Sequence, residues 1–105
     1  LATIGSRGPQ NFYHIVLNNG AHESVGGQKT AGFEIDIPKI AKACGYRTAF
    51  SVQSARELEK HLKKIIRLKG PVLLEVRIAI GSRKDLGRPT ISPKDAKRAF
   101  MKNLN

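Results

Sequence analysis

The sequence predicts an α/β domain: a partial doubly wound, mainly parallel sheet with flanking helices. Three observations carry this. Apolar β-rich segments alternate with helical ones in the order strand, loop, helix, strand, helix, strand, loop, helix. The third strand opens on a continuous Val72-Leu73-Leu74 run, as expected of a parallel strand covered on both faces. The chain has 105 residues, 40% hydrophobic and 26% charged, which is the size and composition of one folded domain.

The first strand is Asn11 to Leu17, aromatic and β-branched, and it stops at the turn signal Asn18-Asn19-Gly20. Residues 20–32 hold four glycines and no usable period, so they read as a long loop of the kind that tends to carry function. Asp36 and Pro38 open a helix that Gly45 stops, with Ile37, Ile40, Ala41 and Cys44 on one face. Arg47 to Val52 is a short second strand. Ser54 and Glu57 then match a capping box. The helix that follows places Leu58, Leu62, Ile65 and Ile66 together, and Glu59 with Lys63 at ion-pair spacing. Gly70-Pro71 ends it, and Val72 to Ile80 is the most hydrophobic strand. After a basic loop from Gly81 to Ile91, Ser92-Pro93 opens a last helix with Ala96, Ala99, Phe100 and Leu104 facing inward.

The formal charge is +11, but residues 1–53 carry a net +2 and residues 54–105 a net +9. The basic half has no RNP-type aromatic strand and no zinc-finger spacing, so a solvated or partner-docking basic face is expected, with no nucleic acid. A stand-alone basic binding module is the rival reading. No apolar stretch reaches the roughly 18 residues of a membrane span, so no membrane partner is expected. Cys44, the one cysteine, cannot form an intramolecular disulfide. That fits a reducing, cytoplasmic location.

Ligands of open parallel sheets bind beyond the carboxyl ends of the strands. The segment Asn18 to Gln28 sits there and is rich in neutral oxygens and glycine amides, which suit a hard cation and a phosphate. No P-loop, no dinucleotide fingerprint and no nucleophile-elbow signature is present. On spacing alone, Asn18-Asn19-Gly20 is more simply read as a turn.

The stretch VLNNGAHESVGGQ resembles the second half of the thiamine-diphosphate-binding motif, which begins Gly-Asp-Gly and ends Asn-Asn. With the later RKDLGRPTISP and a final AFM, it resembles the phosphonopyruvate decarboxylase family, the sulfopyruvate decarboxylases being next nearest. The likeness runs from Leu1 to about Leu104. It implies a thiamine-diphosphate-binding fold, with thiamine diphosphate and Mg²⁺ as cofactors and an anionic 2-keto acid as substrate. By the same resemblance, Asn19 and the Ala21 carbonyl would ligate Mg²⁺ while Asn18 and Gly20 shape the turn. The loop through His22, Gly26 and Gly27 would follow the diphosphate, with His22 as a candidate catalytic residue. A pyrimidine-binding domain or partner subunit, and a homo-oligomer, are implied as well.

The Gly-Asp-Gly half is absent from the sequence, which begins at Leu1 and not at Met. The expectation is a single C-terminal domain over 1–105 lacking its N-terminal part, inactive alone and without tight cofactor binding. Among the remaining residues, His14 reads as a packed core histidine and His61 as a surface one near Glu57. Cys44 reads as a small buried hydrophobe, and Asp36 and Glu34 as a helix start and its flank. Glu23 is a buried hydrogen-bonding partner or simply exposed. Arg83, Lys84 and Arg88 could meet an oxyanion, although an Asp85–Arg88 pair holding the loop is favoured.

Overall fold

Val72–Arg77, buried almost throughout, forms the middle of a three-stranded parallel sheet in the computed structural model, which describes residues 1–87 and 89–104. In chain order the elements are α1 (Ala2–Arg7), β1 (Tyr13–Asn18), β2 (Ala21–His22), β3 (Gln28–Lys29), α2 (Ile37–Ala43), β4 (Thr48–Val52), α3 (Ala55–Ile65), β5 (Val72–Arg77) and α4 (Pro93–Met101). The order across the sheet is β1-β5-β4, with Tyr13 opposite Val72, Asn18 opposite Arg77, and Thr48 opposite Val72 on the other side. All three strands end at one edge, so their carboxyl-terminal side chains form a polar shelf.

Side-chain alternation along β5 divides the core in two. Val72, Leu74 and Val76 meet Val52 and Ile65, with Phe50, Leu58 and Leu68 around them, beneath α3. Leu73 points the other way, onto Ala41 and Tyr46, with Ile4, Val16 and Ile37 closing that side. Full burial of each leucine stabilises by roughly 1.5–3 kcal/mol. Helices therefore cover both faces, and the doubly wound parallel sheet expected from the Val-Leu-Leu run is present.

Several elements depart from the sequence reading. Helix α1 carries no predictive period and is held instead by a backbone contact: a Cβ on Gly5 would lie 1.6 Å from the Cys44 carbonyl oxygen. The glycine-rich stretch folds into a small antiparallel hairpin, β2 with β3, Ala21 opposite Lys29. Strand β5 ends at Arg77 and not at Ile80, because its neighbour β1 turns away after Asn18. The last ladder bond runs from Ile78 N to Asn18 O. In α3, Leu58 and Ile65 face the core, whereas Leu62 and Ile66 are exposed. Ala96, Ala99, Phe100 and Leu104 do not face inward, and α4 has no buried residue. Their period is helical, but no described element packs extensively against that helix.

Both middle helices start as their sequences require. Asp36 accepts a hydrogen bond from Lys39 N at 2.9 Å, and Ser54 and Glu57 form the reciprocal capping box. The Lys39 backbone N–H holds the Asp36 carboxyl below its ordinary value, and the Gln53 backbone N–H does the same for Glu57. A carboxylate with a depressed folded pKa contributes stability above its unfolded pKa and loses it as pH falls through the folded value. The urea midpoint is therefore expected to hold from pH 7 to about pH 4.5 and to fall below it. In Asp36→Asn/Glu57→Gln that acid fall should be shallower. A double variant with an unchanged acid slope would show that these caps do not set it.

Candidate functional site

The site is built at the carboxyl edge of the sheet, on the α2 side. Asn18 ends β1 and is almost wholly buried, and its carboxamide is fully engaged. Its Nδ2 donates to the Gly32 carbonyl at 2.7 Å and to Glu75 Oε1 at 2.6 Å, while Oδ1 accepts from Gly20 N at 3.1 Å. Gly20 takes φ +66, and a Cβ there would stand 2.7 Å from the Phe33 ring, so only glycine suits this corner. Asn19 repeats the pattern one residue on. Its Oδ1 accepts from Ala21 N at 3.1 Å and its Nδ2 donates to Glu23 Oε2 at 2.5 Å. Each asparagine thus gives its nitrogen to a carboxylate and its oxygen to the turn.

Glu23 also accepts from Gly81 N at 2.7 Å through Oε1. It is exposed, and it ties the Asn19 turn to the start of the basic loop after β5. Neither sequence reading holds whole: Glu23 is exposed, as the second had it, and hydrogen-bonded, as the first did. His22 closes β2 with its side chain exposed, and its carbonyl accepts from Gly27 N at 2.9 Å. Gly26 and Gly27, at φ 118 and 75, turn the chain into β3. The structure therefore gathers Asn18, at the end of β1, with Asn19, Gly20, Ala21, His22, Gly26 and Gly27 of the turn and hairpin that follow it.

Three side chains that the sequence reading passed over complete the shelf. Glu75 is wholly buried, and its Oε2 accepts from Ser51 Oγ at 2.6 Å. Arg77 Nε lies 3.6 Å from the same oxygen, and the guanidinium sits 5.4 Å from the Phe33 ring centroid. A cleft of about 340 Å³ opens here, lined by Asp36, Ser51, Gln53, Glu75 and Arg77 among others. Glu75 interrupts the apolar run of the strand VLLEVR before its terminal Arg77. A charge in a run read as buried on both faces is the signal that could have found it.

The other expected residues lie outside this cluster. His14 Nδ1 is 3.1 Å from the Tyr46 hydroxyl, as a packed histidine would be. Burial pushes the Tyr46 hydroxyl above its ordinary pKa. His61 sits on Phe50 and meets the Glu57 carbonyl at 2.8 Å. Cys44 is half-buried at the end of α2. Arg83 pairs with Asp85 at 3.5 Å on the surface, Lys84 is exposed, and Arg88 lies outside the described residues, so the Asp85–Arg88 pairing does too. Among the described residues no cluster of three or more His, Cys, Asp or Glu side chains could hold a metal, and no helix is long and apolar enough to cross a membrane.

An asparagine turn of neutral oxygens at the end of a parallel strand suits a hard cation and an anionic ligand. Comparison with known proteins decides which family uses it. Residues 1–76 match the profile of the thiamine pyrophosphate enzyme C-terminal, TPP-binding domain. The chain belongs to that family. Its relatives within the TPP enzymes include proteins named phosphonopyruvate decarboxylase. One, from Streptomyces viridochromogenes, is 41% identical over 95% of this chain. Another, from Streptomyces hygroscopicus, is 39% identical over the same share. The sulfopyruvate decarboxylase subunit beta of Methanocaldococcus jannaschii is 37% identical over 63% of the chain and 35% of its own length. The TPP-binding domain described here spans about a quarter of the length of the two Streptomyces relatives, 25% in each case.

The donor set fits half of a Mg²⁺–diphosphate site. Asn19 Oδ1 and the carbonyls of the hairpin are hard, neutral oxygens, and space is open above Gly27, where a Cβ would meet nothing within 4 Å. Such a cation takes about six oxygens, so the diphosphate, water and further protein oxygens would supply the rest.

Proposed function

We propose that this domain provides the diphosphate-binding side of the cofactor site in a thiamine-diphosphate-dependent decarboxylase acting on 3-phosphonopyruvate, releasing CO₂ and phosphonoacetaldehyde in phosphonate biosynthesis. The observation that carries the reading is the 41% identity across 95% of the chain to a protein named for that activity. In this reading Asn19 Oδ1 and the Ala21 carbonyl hold Mg²⁺, and Asn18 and Gly20 set the turn that presents them. His22, Gly26 and Gly27 lie along the diphosphate, with His22 the residue closest in kind to a catalytic group. When bound, the thiazolium ring supplies the electron sink for decarboxylation. The chain's own residues bind and orient: buried Asn18 fixes the turn, Asn19 offers a neutral oxygen, and the glycines let backbone amides approach the anion.

A pyrimidine-binding domain or a partner subunit completes the site, the assembly is a homo-oligomer, and the setting is cytoplasmic. The identity to a sulfopyruvate decarboxylase subunit supports a second reading in which the substrate carries a sulfonate head group.

The deciding experiment supplies the full-length protein that carries this domain with Mg²⁺ and thiamine diphosphate and follows CO₂ release from 3-phosphonopyruvate and 3-sulfopyruvate. The expected result is a kcat/KM at least about tenfold higher for the phosphonate, a difference of about 1.4 kcal/mol in transition-state binding. The opposite preference would establish the sulfonate reading. Release from neither substrate would sink both. The 105-residue chain alone is expected to release no CO₂ from either.

A further inference from the structure

We infer that Glu75 is a positioning residue: its buried carboxylate locks the Asn18 carboxamide and so sets the Asn18–Asn19–Gly20 turn. The affinity test below rests on the cofactor reading above; the geometry does not.

Asn18 has one amide nitrogen and one oxygen, and only one orientation satisfies the three groups around it. Gly32 offers a carbonyl and Glu75 a carboxylate, both acceptors, and Gly20 offers an N–H, a donor. A flipped carboxamide would set oxygen against two acceptors, so the carboxylate makes the choice unambiguous. Space is equally restricted, because a Cβ on Gly32 would stand 2.6 Å from Asn18 Oδ1. Glu75 is itself fixed from the far side by Ser51 on β4 and faced by Arg77. One charged side chain therefore joins all three strands at the edge where the turn departs. A wholly buried carboxylate is costly, and replacing it by a leucine would suit the surrounding sheet better if it served packing alone. Its placement two residues before the end of β5, on the shelf, gives it a task that packing does not need.

The test uses the full-length protein in two arms. Without cofactor, hydrogen–deuterium exchange reads the Gly20 amide, which the Asn18 oxygen protects. With it, titration calorimetry reads the Mg²⁺-dependent affinity for thiamine diphosphate. Glu75→Leu is expected to speed exchange at Gly20 at least fivefold and to weaken cofactor binding about 10- to 100-fold, as loss of groups that orient metal ligands does. Glu75→Gln keeps an acceptor for Asn18 and a donor for Ser51, and it should restore both readouts to within about threefold of wild type. A role in balancing the Arg77 charge would leave the glutamine variant as damaged as the leucine variant, and that pattern overturns the proposal. If Glu75→Leu does not fold, Ser51→Ala carries the test. Among the described residues the Ser51 side chain reaches the turn through Glu75, so about a two- to fivefold change in exchange is expected, and an unchanged rate overturns the proposal. If wild type binds no cofactor, the functional reading fails while the exchange arm still decides the role of Glu75.

Discussion

Replacing Asn19 by alanine in the full-length protein is expected to weaken Mg²⁺-dependent thiamine diphosphate binding on the order of 100-fold while leaving the fold intact. The two halves of that expectation come from different bonds. In the folded chain Asn19 accepts from Ala21 N and donates to exposed Glu23. Solvent-accessible hydrogen bonds of this kind contribute about 0.5–1.5 kcal/mol. The stability loss should therefore stay at about 1 kcal/mol. Loss of a group that only orients a metal ligand costs 10- to 100-fold in affinity, so loss of the proposed ligand itself belongs at the upper end. Calorimetric titration at fixed Mg²⁺ checks it. An affinity within threefold of wild type would remove Asn19 from the metal site.

Replacing Gly5 by alanine should have the opposite signature, a large loss of stability through a residue remote from the turn. A Cβ on Gly5 would meet the Cys44 carbonyl oxygen at 1.6 Å and its carbon at 2.5 Å. These are backbone atoms at the end of α2, and they cannot swing aside. The reverse contact is tight as well: a Cβ on Gly45 would lie 3.0 Å from the Gly5 carbonyl. Relief requires α1 to lift, which pulls Ile4 from the cluster of Ala41, Tyr46 and Leu73. Overpacking costs about 1–3 kcal/mol and sometimes more. At about 3 kcal/mol the thermal midpoint would fall by roughly 12–24 °C. Gly87→Ala, where a Cβ would meet nothing within 4 Å, serves as the control and should stay within about 0.5 kcal/mol. Equal midpoints for the two variants would contradict the close approach of α1 and α2.

What the residues disclosed, and what they withheld, follows from the range over which each feature is encoded. Strand β5 was legible because Val72-Leu73-Leu74 is a local pattern, and α3 because Ser54 and Glu57 lie three residues apart. The Asn-Asn turn was legible as a motif at the end of a strand. Helix α1 was not, because glycine approach to another element leaves no period in the sequence. The hairpin of β2 and β3 was missed because two-residue strands are too short to alternate. The role of Glu75 escaped notice because its partners Asn18 and Ser51 stand 57 and 24 residues away, a separation no local spacing rule spans. The apolar stripe of α4 was read correctly as a period and wrongly as a buried face. Periodicity says which residues share a side and not whether anything lies against it.

The place of β1 at the margin of the sheet has a thermodynamic consequence. Its outer main chain is unpaired among the described strands, and Ile15 and Leu17 are 42% and 66% exposed. A further strand added parallel to β1 would run about 4.8 Å away and bring its own carboxyl end beside Asn18. On the function proposed above, adding that strand and completing the cofactor site would then be one event. Cofactor binding would strengthen strand association by the same free energy with which association strengthens cofactor binding.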